Sequence, residues 1–197
     1  MTTRKTGLDP RSTALLVLDI QDGIVESLPD PQPLLDSVFR AITCARSAGA
    51  TVGYVRVALT ERDRTAVPPT NITFTAIAGT KLLVEGDPST GIHSRVTPAP
   101  GDLVVRKTRI GALSTTDLDD QLTRRGITTV VLAGISTGGV VLSTVADMAD
   151  RDYGVYVLSD AVADMDPEVH RVLVEKVFPT RARVINVDRL RILFTGL

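Results

Sequence analysis

The fold of this chain is decided by residues 129–144, whose sequence is TVVLAGISTGGVVLST. Its first five residues form a short β-branched apolar run, which is typical of a buried parallel strand. A glycine-rich turn follows, and the opening of a helix comes next. This order predicts a pocket at the end of the strand, lined by backbone N–H groups. Such a turn usually presents a nucleophile, but the facing residue here is Val140, which is chemically inert.

Strand-like and helix-like segments alternate along the chain. The predicted strands are Ala14–Ile20, Thr51–Val57, Leu103–Arg106, Thr129–Ala133, Val155–Leu158 and Arg183–Val187. The predicted helices are Pro33–Ala48, Thr116–Arg125, Val140–Arg151 and Pro167–Phe178. Strands that are apolar on both faces and separated by helices predict a parallel sheet covered on both sides. We therefore expect an α/β protein with three layers and a six-stranded parallel sheet, in which residues 1–197 form a single domain.

Local signals support these boundaries. Asp166 followed by Pro167 is typical of a helix N-terminus. Gly49 and Gly126 follow predicted helix ends, where a left-handed residue is favoured. The stretch Leu59–Pro100 shows no clear element and contains several prolines. A connection of this length is normally a lid or a subunit contact, although a simple surface excursion is the alternative.

Composition excludes several classes of function. The chain has 43% hydrophobic and 23% charged residues and a formal net charge of -1, so nothing predicts a nucleic-acid partner. No apolar run reaches the roughly 18 residues that span a bilayer. Met1–Arg11 lacks the apolar and small-residue regions of a signal peptide, so we expect a cytoplasmic protein without a membrane partner. The single Cys44 excludes an internal disulfide, and its helical setting favours a packing role.

Polar residues follow three predicted strands at the edge where ligands bind in open parallel sheets. Asp19 ends the first strand, Lys107 follows the third, and the turn 134–140 follows the fourth. Each has an ordinary explanation, as a loop cap, a solvated charge or a tight connection. A carboxylate, a cation and a helix N-terminus in one crevice would nevertheless form an acid/base site that also stabilises an anion.

Four stretches occur in an order and at separations that match one enzyme superfamily. They are Leu16–Gln21 (LVLDIQ), Lys107–Arg109 with Leu113 and Thr116–Leu118, Gly134–Thr137 leading into Val141, Thr144 and Asp147, and Val157–Ala161 (VLSDA). On these stretches the chain resembles the isochorismatase-like hydrolases, or cysteine hydrolases, from Leu15 to about Asp188. The resemblance implies the same α/β fold, a small-molecule substrate and a homodimer or homotetramer.

The resemblance also implies roles for individual residues. Asp19 corresponds to the acid/base carboxylate of the family, and Lys107 to its catalytic lysine. The bond between Ile135 and Ser136 corresponds to a cis peptide, which is rare outside proline. The backbone N–H groups of Ser136 and Val140 correspond to the oxyanion hole, and Val140 stands where the family has its cysteine nucleophile.

Further site residues are predicted with less support. We expect Gln21, Arg109 and Gly139 to contact the substrate, and Arg109 or Arg106 could bind a substrate carboxylate bidentately. No metal site is predicted, because residues 56–60 (RVALT) stand where the family has an acidic residue and histidines. No cofactor is expected either.

The valine changes the chemistry that the family resemblance implies. Amide hydrolysis through a thioester needs a thiol, which Val140 cannot supply. One branch of the superfamily lacks the cysteine and cleaves a vinyl ether, with a protonated carboxyl as the acid. Asp19 could do this if burial, which raises a carboxyl pKa, outweighs the lysine, which lowers it.

Three functions remain open from the sequence. The first is a hydrolase without a cysteine that uses Asp19, Lys107 and activated water. The second is a family member that has lost catalysis and binds a small molecule or a partner, and the third is a lyase or isomerase. A hydroxyl of Ser136, Thr137 or Ser143 is a weak substitute for the thiol, because a hydroxyl needs a positioned base. We expect His93 and His170 to be structural or exposed.

Overall fold

Six parallel strands form one sheet in the computed structural model, which describes residues 7–196. The strands are β1 (Thr13–Leu18), β2 (Thr51–Val57), β3 (Leu103–Lys107), β4 (Thr129–Ile135), β5 (Gly154–Ala163) and β6 (Arg183–Ile185). Their order across the sheet is β3-β2-β1-β4-β5-β6, and every neighbouring pair is parallel. The predicted six-stranded parallel sheet is confirmed. Residues 1–6, part of the stretch assessed for a signal peptide, lie outside the described residues.

Eight α-helices connect and flank the strands in the described part of the chain. They are α1 (Asp22–Val25), α2 (Gln32–Ala48), α3 (Glu61–Thr65), α4 (Ile72–Ala78), α5 (Leu118–Arg124), α6 (Leu142–Asp150), α7 (Pro167–Val172) and α8 (Val187–Thr195). Single π-helical turns, Thr137–Val141 and Leu173–Val177, precede α6 and follow α7. Of the helices that the structure describes, none is long and apolar enough to cross a membrane.

Helices cover both faces of the sheet, as predicted, and each face has its own apolar core. On one face, α2 buries a stripe of side chains at helical spacing, which includes Leu34, Val38 and Ile42. On the other face, α5 and α6 bury Leu122 and Val145 against the strands. Burying each large side chain of this kind contributes about 1.5–3 kcal/mol to the stability of the fold. The two helical layers therefore hold the strands, and with them the strand ends, in place.

The stretch 59–100 is more ordered than its sequence indicates. It contains α3 and α4 as well as short 3-10 turns, and these helices are too short to give a periodic pattern. Arg64 ties the stretch together by donating to four backbone carbonyls, those of Ile77, Ala78, Thr80 and Leu82. Phe74 packs with Val57 and Leu59 in a small separate cluster. The expectation of a stretch without elements was therefore wrong.

Two predicted strands end earlier than expected. β1 stops at Leu18 because Asp19 takes a left-handed backbone conformation, with φ of 54°, which turns the chain. β6 stops at Ile185, and Asn186 caps the N-terminus of α8 by accepting a hydrogen bond from the Arg189 N–H. Helix α8 was missed, and its N-cap Asn186 and first residue Val187 were assigned to the strand.

Three predicted helix caps agree with the structure, whereas one predicted helix start differs. The Asp166 side chain accepts hydrogen bonds from the first backbone N–H groups of α7, with Pro167 as its first residue. Gly49 and Gly126 are left-handed, with φ of 80° and 67°. The helix predicted from Val140 instead starts as a π-helical turn at Thr137 and becomes α-helical only at Leu142.

Candidate active site

The candidate site lies where the strand order reverses. β1 and β4 are neighbours, but the chain leaves β1 towards β2 and leaves β4 towards β5 on the other side. The connections after β1 and β4 therefore diverge, and in open parallel sheets the ligand-binding crevice lies at such a reversal, at the carboxyl ends of the strands. Asp19 directly follows β1, and the turn 136–141 follows β4. Lys107, the last residue of β3, reaches the same place.

Asp19 and Lys107 form a buried ion pair. The lysine Nζ lies 2.8 Å from the aspartate Oδ2. The side chain of Lys107 is only 2% exposed, and that of Asp19 only 7%. Nζ also donates to the carbonyl oxygens of Arg109 at 3.1 Å and Ile110 at 2.7 Å. Three acceptors around one ammonium hold it in place. The carboxylate and the cation that the sequence placed at the same edge of the sheet are therefore in contact in the structure.

The two oxygens of the Asp19 carboxyl differ in their surroundings. Oδ1 is buried and accepts no hydrogen bond from any group within residues 7–196. Burial raises the pKa of Asp19 to about 6, against the opposing effect of the Lys107 ammonium. Desolvation thus outweighs the lysine, which the sequence could not decide. A carboxyl with this pKa can carry a proton near neutral pH and deliver it from an oxygen that no other group occupies.

The turn after β4 begins where β4 closely approaches β1. The Ile135–Ser136 peptide bond is cis. The carbonyl of Ser136 accepts hydrogen bonds from the N–H of Gly139 at 3.1 Å and of Val141 at 3.2 Å. Gly134 has φ of 146°, and a Cβ there would lie 2.0 Å from the carbonyl oxygen of Leu18. Only glycine allows β4 to lie this close to β1 at the edge of the crevice.

Val140 is buried within the apolar core. Its side chain is 3% exposed and belongs to the cluster that contains Val141 and Leu173. An isopropyl group has no lone pair with which to attack a carbonyl. The position that the resemblance assigns to a nucleophile is thus occupied by hydrocarbon.

Gln21 has little left to offer a substrate. It is fully buried, and its Nε2 donates to the carbonyls of Val57 and Thr90, both at 2.9 Å. Its Oε1 accepts the Val57 N–H at 2.7 Å. This amide bridges the end of β2 to the stretch 59–100. Both Nε2 hydrogens are thus used, so the predicted contact with substrate is left to the second lone pair of the buried Oε1.

The other predicted binding residues differ in their availability. The Arg109 guanidinium lies 5.2 Å from the centroid of the Phe74 ring and donates to the carbonyl of the preceding residue at 2.6 Å. Arg106 forms an ion pair with Asp63 at 2.7 Å, so it is held outside the crevice by α3. Gly139 lies in the turn, where a Cβ would be 2.7 Å from the Ser136 Oγ.

Two side-chain contacts to the turn escaped the sequence analysis. Thr137 Oγ1 lies 3.0 Å from Nδ1 of His170, and the Gly138 N–H donates to Asp164 Oδ2 at 2.6 Å. Both partners come from the segment around α7, 33 and 26 residues away. Nothing in the local sequence marks such long-range pairs.

The other candidate side chains, His93 and Cys44, take part in local structure. His93 accepts a hydrogen bond from the Arg95 N–H and caps a 3-10 turn. Cys44 is half-buried on α2, and burial raises the pKa of its thiol. Across residues 7–196, no group of three or more His, Cys, Asp or Glu side chains could hold a metal ion.

Comparisons with known proteins find relatives over most of the chain. Residues 13–189 match the isochorismatase domain. The chain is 32% identical over 186 residues to ureidoacrylate amidohydrolase RutB of Methylobacterium radiotolerans, covering 83% of this chain and 72% of that protein. It is also 32% identical over 187 residues to the isochorismatase family protein YecD of Escherichia coli O157:H7, covering 93% and 96%.

A solved structure shows the same fold. A cysteine hydrolase from Pseudomonas syringae pv. phaseolicola superimposes with a TM-score of 0.86 at 22% identity, covering 97% of this chain and 96% of that one. The domain match spans the strands and turns that build the crevice. This chain therefore belongs to the isochorismatase family.

Proposed function

We propose that this protein hydrolyses a small metabolite with Asp19 as the acid/base group, Lys107 as its charge partner and water as the nucleophile. The observation that carries the proposal is the buried, unpartnered Oδ1 of Asp19 beside a fixed ammonium. The burial of Val140 supports it, because a nucleophilic side chain is missing from the place where the family resemblance expects one. Water must then supply the attacking oxygen.

Cleavage of a vinyl ether fits these groups. Protonated Asp19 donates its proton to the terminal alkene carbon, which leaves an oxocarbenium ion. Water adds to that cation and returns a proton to the Asp19 carboxylate. The hemiketal then breaks its C–O bond, with proton transfer to the leaving oxygen, and gives a ketone and an alcohol. Each proton that Asp19 gives is recovered, so no cofactor is needed.

The turn after β4 would bind the oxygen atoms of the substrate. The backbone N–H groups of Ser136 and Val140 would hold a substrate carboxylate or the hemiketal oxygen. Arg109 could bind a second carboxylate if its guanidinium leaves the Phe74 ring. These contacts favour a small anionic substrate, of which isochorismate is one example.

A binding protein without catalysis is the second candidate. The packing of Val140 in the core favours it, because an apolar floor suits a ligand that is held and not attacked. RutB is named as an amidohydrolase, and the thioester route to an amide would need a thiol at position 140. A hydrolase, a lyase or isomerase, and a binding protein without catalysis would give different results in one experiment.

That experiment is a panel of anionic vinyl ethers, including isochorismate, and small amides, assayed in ¹⁸O-labelled water. We expect turnover of a vinyl ether with one solvent oxygen in the ketone product, measured by mass spectrometry at early times, before exchange. Turnover without solvent oxygen would indicate a lyase or isomerase. Binding without turnover, unchanged in Lys107→Ala, would support the binding protein and contradict the proposal.

Restoring the thiol tests whether the turn is still organised for anions. In the Cys44→Ala/Val140→Cys variant, we expect iodoacetamide to alkylate the thiol at least about tenfold faster at pH 7 than it alkylates Cys44 in the wild type. This result is expected if the Lys107 ammonium and the backbone N–H groups of the turn act on position 140, as proposed, strongly enough to outweigh its burial, whereas burial raises the pKa of the Cys44 thiol. Equal rates would mean that the turn no longer stabilises negative charge.

We also propose a homodimer or homotetramer located in the cytoplasm. Exposed apolar side chains on the stretch 59–100, Ile72 and Leu82, support a subunit contact there. Sedimentation velocity would measure the assembly, and a monomer at micromolar concentration would contradict it.

A further inference from the structure

We propose that His170 is a positioning residue that acts through Thr137 to hold the turn Thr137–Val141 in its anion-binding geometry. This inference rests on the proposed function, because it concerns the backbone N–H groups of Ser136 and Val140 in that reaction. His170 does not touch the substrate in this proposal. It fixes the backbone that does.

The contact itself is short and sheltered. Thr137 is fully buried, and its Oγ1 lies 3.0 Å from Nδ1 of His170, which is itself partly exposed. The hydroxyl can donate to an unprotonated Nδ1 or accept from a protonated one, so either ring tautomer keeps the bond. A buried hydroxyl that lost this partner would be left without its side-chain hydrogen bond, and leaving a buried polar group unpaired is unfavourable.

The turn needs an external support because of its sequence. Gly138 and Gly139 follow each other, and glycine loses more backbone freedom on ordering than any other residue. The hydrogen bond from the Val141 N–H to the Ser136 carbonyl spans five residues, one more than in an α-helix. These features leave the direction of the N–H groups weakly determined by the turn alone.

The support comes from one neighbouring segment. Asp164 accepts the Gly138 N–H at 2.6 Å, and Val169 packs so close that a Cβ on Gly138 would lie 2.9 Å from its Cγ1. His170 is the next residue and bonds Thr137. Two hydrogen bonds and one van der Waals contact therefore hold consecutive residues of the turn against the start of α7.

The topology separates His170 from the proton-transfer pair. Asp19 follows β1, whereas His170 lies on α7, which follows β5. β4 lies between these two strands in the sheet. The two groups thus approach the turn from opposite sides, and the side chain of His170 contacts the turn at Thr137. Its influence on the reaction must pass through the turn.

Substitutions at both ends of the bond test the inference. We expect His170→Leu to lower kcat by about 100-fold with KM changed less than about threefold, because a displacement of about 1 Å in catalytic geometry costs this much. His170→Asn places an amide near the position of Nδ1 and should recover most of the loss. Thr137→Val should match His170→Leu, and the double variant should be no worse than either one.

A second measurement does not depend on turnover. In the Cys44→Ala/Val140→Cys background, the pH dependence of iodoacetamide alkylation gives the pKa of the introduced thiol. We expect His170→Leu to raise that pKa by at least about half a pH unit, and His170→Asn to leave it unchanged. Arg171→Gln, an exposed change on the same helix, is the control, and urea unfolding checks that each variant is folded.

The outcomes separate the two proposals. If no substrate is turned over but the thiol pKa responds as expected, the proposed function fails and the role of His170 stands. If kcat and the thiol pKa are both unchanged in His170→Leu, the role of His170 is wrong. If His170→Asn behaves like His170→Leu, the hydrogen bond to Thr137 is not what matters, and the inference is also overturned.

Discussion

Asp19→Asn is expected to lower kcat for a vinyl ether substrate by about 10²–10⁴-fold, the usual contribution of a positioned acid or base. Asparagine has the same shape but cannot give a proton to carbon. Since no other side chain at the crevice is proposed to act as the acid, we expect no partial substitute. Steady-state kinetics on the substrate identified from the panel would measure the loss.

Two controls keep this result interpretable. Asp19→Asn removes the negative charge that pairs with the buried Lys107 ammonium, so the variant must be shown to fold by urea unfolding. Asp19→Glu keeps a carboxyl near the ammonium but moves it by one methylene group, and we expect a smaller loss of kcat. Turnover by Asp19→Asn at the rate of the wild type would rule out the proposed mechanism.

The pH dependence of kcat/KM in the wild-type enzyme also tests whether Asp19 acts as the acid. The pKa of Asp19 is raised to about 6, and only its protonated form can act as the acid. We therefore expect kcat/KM to fall about tenfold per pH unit above about pH 6, since this constant reports groups of the free enzyme. A profile that rises through this range would indicate that Asp19 acts first as a base.

Lys107→Met is expected to cause the largest loss of stability, about 3–5 kcal/mol at pH 8, the usual effect of removing one partner of a buried ion pair. The carboxylate of Asp19 would be left buried without a counter-charge, and two carbonyls would lose their donor. Methionine has a similar length, so packing changes little.

The loss should depend on pH in a defined direction. Without the ammonium, the pKa of Asp19 rises above its present value of about 6, while the unfolded chain keeps an ordinary value near 4. Between these values the folded variant binds a proton that the unfolded chain has released, so its stability falls as pH rises. At pH 5 most of the carboxyl is protonated, and the electrostatic part of the loss should largely disappear.

Urea unfolding at pH 5 and pH 8 would measure this effect. The matched control is Asp19→Asn/Lys107→Met, which removes the charge from both side chains. We expect the double variant to be more stable than Lys107→Met at pH 8 and to show a smaller difference between the two pH values. A loss for Lys107→Met that is equal at pH 5 and pH 8 would show that the pair is not electrostatically coupled.

Sequence patterns predicted the elements that are marked by an apolar run or by a cap within a few residues. The β-branched runs gave the six strands, because a strand buried on both faces must be apolar throughout. Caps such as Asp166 and Gly49 act within a few residues, so they were visible as well. The helices α3 and α4 were missed, because five and seven residues are too few for a periodic pattern and their order depends on Arg64.

By itself the sequence determined the sheet, the place of the crevice, and the presence there of Asp19, Lys107 and an inert Val140. The tertiary structure alone decided how these groups behave. Burial raises the pKa of Asp19, and the loop after β3 accepts hydrogen bonds from the Lys107 ammonium. His170 contacts Thr137, from which it is separated by 33 positions in the sequence. Periodicity and caps are properties of neighbouring residues, whereas desolvation and long-range hydrogen bonds exist only after the chain has packed.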